Sequence, residues 1–381
     1  MERLEAFLAD LRPASHALDI DAAPDAGVAA ALEASAAAYA HALARLRERG
    51  GAVLPALAAH ASWTSAATHA VLPLLATDAG IRLQLDTGIA AHRARSGDWA
   101  GGLWLPECAH APWLDEPLAG AGVRATVVDW TDVLGPGAHA PRRSPAGVRL
   151  APLDRELVEL VWSARGYPSH GDYCDTHNLT EHRHGAWAID GTPYDPERGR
   201  AQAVAHADAF AEAVAARVAG GRLSVFAVDT ELLGHWWREG TVWLAAVLDA
   251  CERRGVPVLP LDDALEAWPA EPAPAALPAT SWGEGRDLRT WSGSAAAGLA
   301  WRQRAAELRV LESRDAPAER ALRELLALQS SDWAFLVAHG TAGPYPAERA
   351  AGHEAALEAA LDGGEEAALR SLAPHLAGAG I

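Results

Sequence analysis

Two stretches decide the reading of this chain: GGLWLPECAH at 101–110 and LSVFAVDTELLGHWW at 223–237. In the first, Leu103, Leu105 and Glu107 alternate like the same-face residues of a strand, with the carboxylate at its C-terminal end. In the second, Val225, Ala227 and Asp229 repeat the layout. In a βα barrel the C-terminal strand ends face the active site, so a carboxylate there is placed for catalysis. Aromatic residues stand beside each: Trp104 and Trp113 near Glu107, Trp236 and Trp237 near Asp229. Two carboxylates about 5–5.5 Å apart across a sugar linkage form the retaining glycosidase arrangement.

Composition narrows the chemistry further. The chain has 381 residues and a formal net charge of −18, which disfavours a broad contact with a phosphate backbone, and no nucleic-acid partner is expected. All 32 basic residues are arginine. A Lys Schiff base and a Walker-type phosphate loop are therefore excluded. Three widely spaced cysteines, Cys108, Cys174 and Cys251, fit free thiols in a reducing compartment. The N-terminus is charged and amphipathic, and no apolar run is long enough to span a membrane. The expectation is a cytoplasmic monomer with no membrane partner. Trp, at 15, outnumbers Tyr and Phe together, which tilts the chain toward stacking on sugar rings.

The pattern along the chain alternates strands and helices. Residues 1–50 read as helical, and strands are expected near 61–68, 102–107, 124–130, 148–152, 157–164, 223–229 and 256–261. Helices are expected near 78–94, 117–122, 200–218 and 237–255. This implies βα units around a parallel sheet. The divisions expected are a first barrel segment at 1–165, a Gly/Pro/His/Asp-rich insertion at 166–199, a second barrel segment at 200–266 and a Pro/Ala-rich linker at 267–281. An α-helical domain follows at 282–381, with helices near 294–313, 317–329, 346–361 and 364–372.

The two decisive strings resemble those of glycoside hydrolase family 57, most closely its α-1,4-glucan branching members. In that family a WLPE-type segment carries the nucleophile, here Glu107 in WLPECAH. A D-x-E-L-x-G-H-W-W segment carries the acid/base, here Asp229 in DTELLGHWWREG. WTSAATHAVLPLL (63–75) is similar to a segment whose His, here His69, lies in the active site. VWSARGYP (161–168) is similar to one whose Trp, here Trp162, binds substrate. SWGEGRDLRTW (281–291) resembles a segment whose tryptophans, here Trp282 and Trp291, face the glucan. SSDWAFLVAHGTAGPYPAERA (330–350) resembles the last conserved region of the helical domain. The resemblance implies an α/β incomplete (β/α)7 barrel followed by an α-helical C-terminal domain. It further implies retaining chemistry on an α-glucan partner with no metal or organic cofactor. The substrate-binding set it implies is His69, Trp104, Trp162, His235, Trp236, Trp282, Trp291, Asp332 and Trp333.

The chain departs from the family pattern in two places. No H-x-H-x-P segment precedes residue 61, so the first barrel strand is expected to be missing. Residues 133–148, where branching members carry a long Tyr-bearing loop, are short and Tyr-free, which favours water as a competing acceptor. Two other readings remain open. One is a catalytically impaired glucan-binding form. The other is a metal-dependent carbohydrate hydrolase using His170, Cys174, His177, His182 and His184, whose intervals suit Zn²⁺. Cys108, next to Glu107, is expected to pack behind the carboxylate.

Overall fold

The structure is a computed structural model that describes residues 2–135, 139–312 and 319–363, with Ala373, His375 and Leu376 beyond them. The helix expected at 364–372 lies outside the described residues. Packing groups the chain into two compact units, Met1–Ala56 with Asp154–Pro260, and Leu57–Leu153 with Leu261–Ile381.

The second unit is built on a six-stranded sheet. Its strands are β1 (Thr64–Ser65), β2 (Gly102–Trp104), β3 (Ala125–Val128), β4 (Arg142–Arg143), β5 (Arg149–Pro152) and β6 (Glu271–Pro272), in the order β1-β2-β3-β5-β4-β6. β1, β2, β3 and β5 run parallel, with Thr64 opposite Leu103, Leu103 opposite Thr126 and Val128 opposite Pro152. β4 runs antiparallel to β5 and parallel to β6. All four residues of β3 are buried, as a parallel strand covered on both faces requires. The helix Asp78–Ser96 starts where Thr77 accepts the Gly80 N–H (3.1 Å), and Arg93 and Arg95 stand in its last turn. Its Ile81 and Leu85 join Leu103, Leu105, Leu118, Val128 and Leu150 in the core. Gly102 is forced by close approach, since a β-carbon there would lie 2.2 Å from the Trp63 indole nitrogen.

The C-terminal region of this unit is helical: Ala297–Glu312, Glu319–Leu328, Ser331–His339 and Tyr345–Leu361. Leu322, Leu325, Leu326, Val310 and Leu357 form its core, with Leu83 of helix 78–96. Buried polar groups tie the same two regions together. Glu307 accepts from Ala76 N (3.1 Å) and Gln329 Nε2 (3.0 Å), and Gln84 Nε2 donates to Gln329 Oε1 (3.0 Å).

The first unit is mainly helical. A helical run Glu2–Asp21, with a π turn at Phe7–Leu11, packs on Ala26–Glu48. The latter is capped by Asp25, which accepts from Val28 N (2.9 Å). Helices Pro196–Val218 and Gly240–Arg253 pair around Phe210, Trp243, Trp237 and Tyr173. Residues 166–199 fold as a lobe with short antiparallel bridges. Cys174, Ala186, Ala188 and Tyr194 from this lobe pack on Val28, Ala31 and Leu32.

Three expected strands are corrected. Residues 157–164 form no strand, because Arg155–Val161 is a helix burying Leu157, Val158 and Val161, a helical i, i+1, i+4 stripe. Segments 223–229 and 256–261 carry no ladder among the described residues. Val225 O accepts one backbone bond from Asp154 N (2.8 Å), and the 256–261 segment leads into the helix Leu261–Ala267. The helix Ser331–His339 is additional to those expected. No helix among the described residues is long and apolar enough to cross a membrane.

Candidate active site

β2 delivers its chain into a turn at Pro106–Cys108 whose backbone is unusual. Glu107 has φ 60° and Cys108 φ 49°, and His69, past the end of β1, has φ 56°. Left-handed backbone disfavours residues with a β-carbon, and such strain gathers at functional sites. The turn is held from both ends. Cys108 is fully buried with its Sγ 3.6 Å from Val127 O, and His110 exchanges backbone hydrogen bonds with Thr280 (2.9 and 2.8 Å). Beneath it His110 Nε2 meets Asp115 Oδ1 at 2.9 Å, both buried.

The Glu107 side chain is 14% exposed. Trp282 holds the residue at two points: its backbone N–H donates to the Glu107 main-chain O (3.1 Å) and its indole N–H to carboxylate Oε2 (3.2 Å). Trp104 lies 4.8 Å from the Trp282 ring, giving an aromatic wall next to the carboxylate. On the other side His69 Nδ1 stands 3.7 Å from Oε1 and 2.9 Å from Ser331 Oγ. The fold thus brings together Glu107, His69, Trp104 and Trp282, all read from the sequence. It adds Ser331, which sits inside the SSDW string but carries no motif of its own.

Other expected residues of this unit sit elsewhere. Trp291 is 2% exposed and packs among Val71, Ala109, Ala296 and Ala334. It is packed as a core residue behind the turn. Trp333 is half-buried against the helical core and donates its indole N–H to Ala327 O (2.8 Å). Asp332 is exposed and accepts from Ser330 Oγ (3.2 Å).

In the first unit, Asp229 ends the extended segment 223–228 with ordinary backbone angles (φ −64°, ψ 135°) and begins the turn Thr230–Leu232. The Trp236–Trp237 doublet then splits. Trp237 is buried against Tyr173 and Trp243, whereas Trp236 is 49% exposed, 4.6 Å from the His235 ring. Trp162 is also exposed (45%), just past its helix. His235 and Trp236 line a cavity of about 860 Å³ with Arg12, Tyr39, Asp175 and His182.

The metal-ligating set read from spacing does not assemble. His182 Nδ1 pairs with Asp19 Oδ1 (2.7 Å), which raises the histidine's pKa. His184 is buried, stacked on His16 at 3.5 Å, with Arg12 Nη1 donating to Nδ1 (2.9 Å) and Nε2 3.0 Å from Ser15 Oγ. An accepting Nδ1 makes the ring neutral, and burial with the Arg12 charge pushes His184 down to about 4. His170 packs on Tyr173 and His206, His177 is exposed, and burial raises the Cys174 thiol. Among the described residues no three His, Cys, Asp or Glu side chains converge in a metal-ligating group.

A parallel α/β sheet carries a carboxylate on a strained strand-end turn with an aromatic wall beside it, the fold and site of an α/β protein with a partly buried, oriented acid. The chain belongs to glycosyl hydrolase family 57, whose sequence profile matches residues 63–272. A second profile, described as "1,4-alpha-glucan branching enzyme, C-terminal", matches residues 299–372. A probable 1,4-alpha-glucan branching enzyme of Mycobacterium tuberculosis is 34% identical over 346 residues, covering 80% of this chain and 64% of that protein. The 1,4-alpha-glucan branching enzyme of Thermococcus kodakarensis is 30% identical over 345 residues, covering 75% of this chain and 51% of that protein. The chain therefore spans between about half and two thirds of the length of these relatives. The crystal structure of a GH57-type branching enzyme from Pyrococcus horikoshii matches with a TM-score of 0.82 at 26% identity, over 92% of this chain and 74% of that one. The α/β core with a helical C-terminal region expected from the sequence is the fold class of this chain.

Proposed function

We propose that this chain acts on α-glucans as a retaining enzyme that cleaves α-1,4 linkages and transfers the released segment to form α-1,6 branches. Glu107 is the nucleophile and Asp229 the acid/base in this reading. The carboxylate attacks the anomeric carbon as the linkage oxygen takes the Asp229 proton, giving a covalent glycosyl-enzyme. A sugar 6-hydroxyl, losing its proton to Asp229, then resolves the intermediate. Resolution by water gives hydrolysis. The observation that carries the proposal is the Glu107 turn: left-handed backbone, and a carboxylate whose Oε2 is fixed by the Trp282 indole. A carboxylate held this way loses little orientational freedom when it attacks. The names of the relatives supply the glucan and the branching. Trp104, Trp162, His235, Trp236 and Trp282 are the sugar-contacting set, and Asp332 and Trp333 are assigned to outer glucan contacts. Two carboxylates suffice for this chemistry without metal or organic cofactor, and the enzyme is proposed to work as a cytoplasmic monomer.

The test is incubation with amylose, followed by iodine staining, reducing-end counts and debranching with an α-1,6-specific hydrolase. New debranchable linkages are expected, together with a loss of at least about a thousandfold in Glu107→Gln that folds like wild type. Binding of amylose with neither new branches nor new reducing ends would replace the proposal with a glucan-binding role.

A further inference from the structure

We propose that Ser331, the first residue of helix Ser331–His339, is a positioning residue of the active site whose hydroxyl holds the His69 imidazole beside Glu107. This inference rests on the reading of Glu107 as nucleophile. His69 needs an outside hold. Its side chain is 41% exposed, so packing alone does not fix the ring, and its φ of 56° is one the residue does not adopt by preference. Ser331 supplies two contacts: Oγ lies 2.9 Å from Nδ1, and its backbone N–H donates to His69 O at 3.2 Å. The hydroxyl does not serve as a helix cap, because the cap position is Ser330. Ser331 itself is buried, so its own rotamer is fixed by packing.

The neighbours of both residues belong to one hydrogen-bonded network. Thr68 N donates to Gln84 Oε1 (3.2 Å), and Gln84 Nε2 donates to Thr68 Oγ1 (3.0 Å) and to Gln329 Oε1 (3.0 Å). Gln329 in turn donates to Glu307 Oε2 (3.0 Å), and Thr68 Oγ1 donates to Leu326 O. Thr68 precedes His69 and Gln329 lies two residues before Ser331, so the helical region sets where the imidazole stands.

The separation that results is what matters. At 3.7 Å, Nδ1 is beyond hydrogen-bond range of Oε1. Oε2 is occupied by Trp282, so Oε1 is the oxygen left to attack. An imidazole released from Ser331 closes on Oε1 as a direct hydrogen bond and ties up the nucleophile.

The test compares Ser331→Ala, Ser331→Thr and Glu107→Gln in the full chain. With amylose as substrate, Ser331→Ala is expected to lower kcat about tenfold with KM within twofold, and Ser331→Thr, which keeps the hydroxyl, to stay within threefold of wild type. Side-chain ¹⁵N NMR of the imidazoles, with His69 assigned by its absence in His69→Asn, reads the positioning without turnover. The His69 Nδ1 signal is expected to move in the Ala variant and hold in the Thr variant. Unchanged His69 nitrogens in Ser331→Ala, equal losses in Ala and Thr, or a loss lying in KM overturn the proposal. If Glu107→Gln is inactive while Ser331→Ala matches wild type in rate and spectrum, this inference alone fails. Wild-type turnover in Glu107→Gln removes the nucleophile assignment and this inference with it.

Discussion

Glu107 and Asp229 close two stretches that look alike in sequence and are held in different ways. The first follows a strand hydrogen-bonded on both sides, then a turn with two consecutive left-handed residues, and its side chain is clamped by Trp282. The second follows an extended segment without a ladder, has ordinary backbone angles and leads into exposed His235 and Trp236. The difference suits the two roles proposed. A nucleophile must meet one carbon along one line, whereas an acid/base serves a leaving oxygen first and an incoming hydroxyl later.

That contrast is easiest to break through Asp229. Asp229→Asn is expected to lose about 10²–10⁴-fold on amylose while keeping its first step on α-maltosyl fluoride, whose leaving group needs no proton, read as a burst of fluoride. Azide added to this variant should yield the α-glycosyl azide, read by NMR. A fluoride burst as slow as amylose cleavage, with no rescue by azide, would assign Asp229 a role other than proton transfer.

The tryptophans sharpen the same contrast between holding and reacting. Trp291→Ala is expected to destabilise by about 3–5 kcal/mol in urea titration, as loss of a buried indole does. Trp282→Ala should cost less stability and yet lower kcat by about 10–100-fold, because it removes the donor to a charged oxygen. The reverse ranking would mean that Trp291 and not Trp282 faces the chemistry.

The smallest effect separates the first unit's histidines from its Asp229 segment. His184 has a folded value of about 4 against an ordinary value of about 6.5. Between these values the unfolded chain binds a proton that the folded chain does not. Stability is therefore fully present above about 6.5 and falls as pH drops toward 4. His184→Gln is expected to lose about 2 kcal/mol less than wild type between pH 7.5 and 5, measured by urea unfolding. His206, also pushed down to about 4 by burial and the nearby His170, keeps part of the slope in that variant. An unchanged slope would place the neutral ring elsewhere.

Much of this was legible because it is local. Alternating Leu103 and Leu105 before Glu107, the buried run at 125–128 and the long helical stripes each declare themselves within a few residues. The HWW string does not say which Trp turns inward; that is set by packing on Trp243 and on Tyr173, the latter far away in sequence. LVELV carries both strand and helix periods, and only its packing settles it as a helix. The evenly spaced His and Cys residues of 166–199 looked like ligands until Asp19, Arg12 and His16 of the N-terminal helical run engaged two of them. Left-handed backbone at Glu107 and His69 leaves no trace in residue types that do not prefer it. Ser331 was invisible because its partner is 262 positions away.

The left-handed turn at Glu107 also bears on synthesis. Glycine is the residue most at ease at φ 60°, so removing the entire side chain at 107 relieves the backbone while leaving the Trp104–Trp282 wall in place. On the proposed chemistry such a glycine form lacks the group that starts bond cleavage but keeps the one that activates an acceptor hydroxyl. Fed a β-configured glycosyl fluoride in place of the missing covalent intermediate, it becomes a catalyst that joins glucose units and has no route to cut them again.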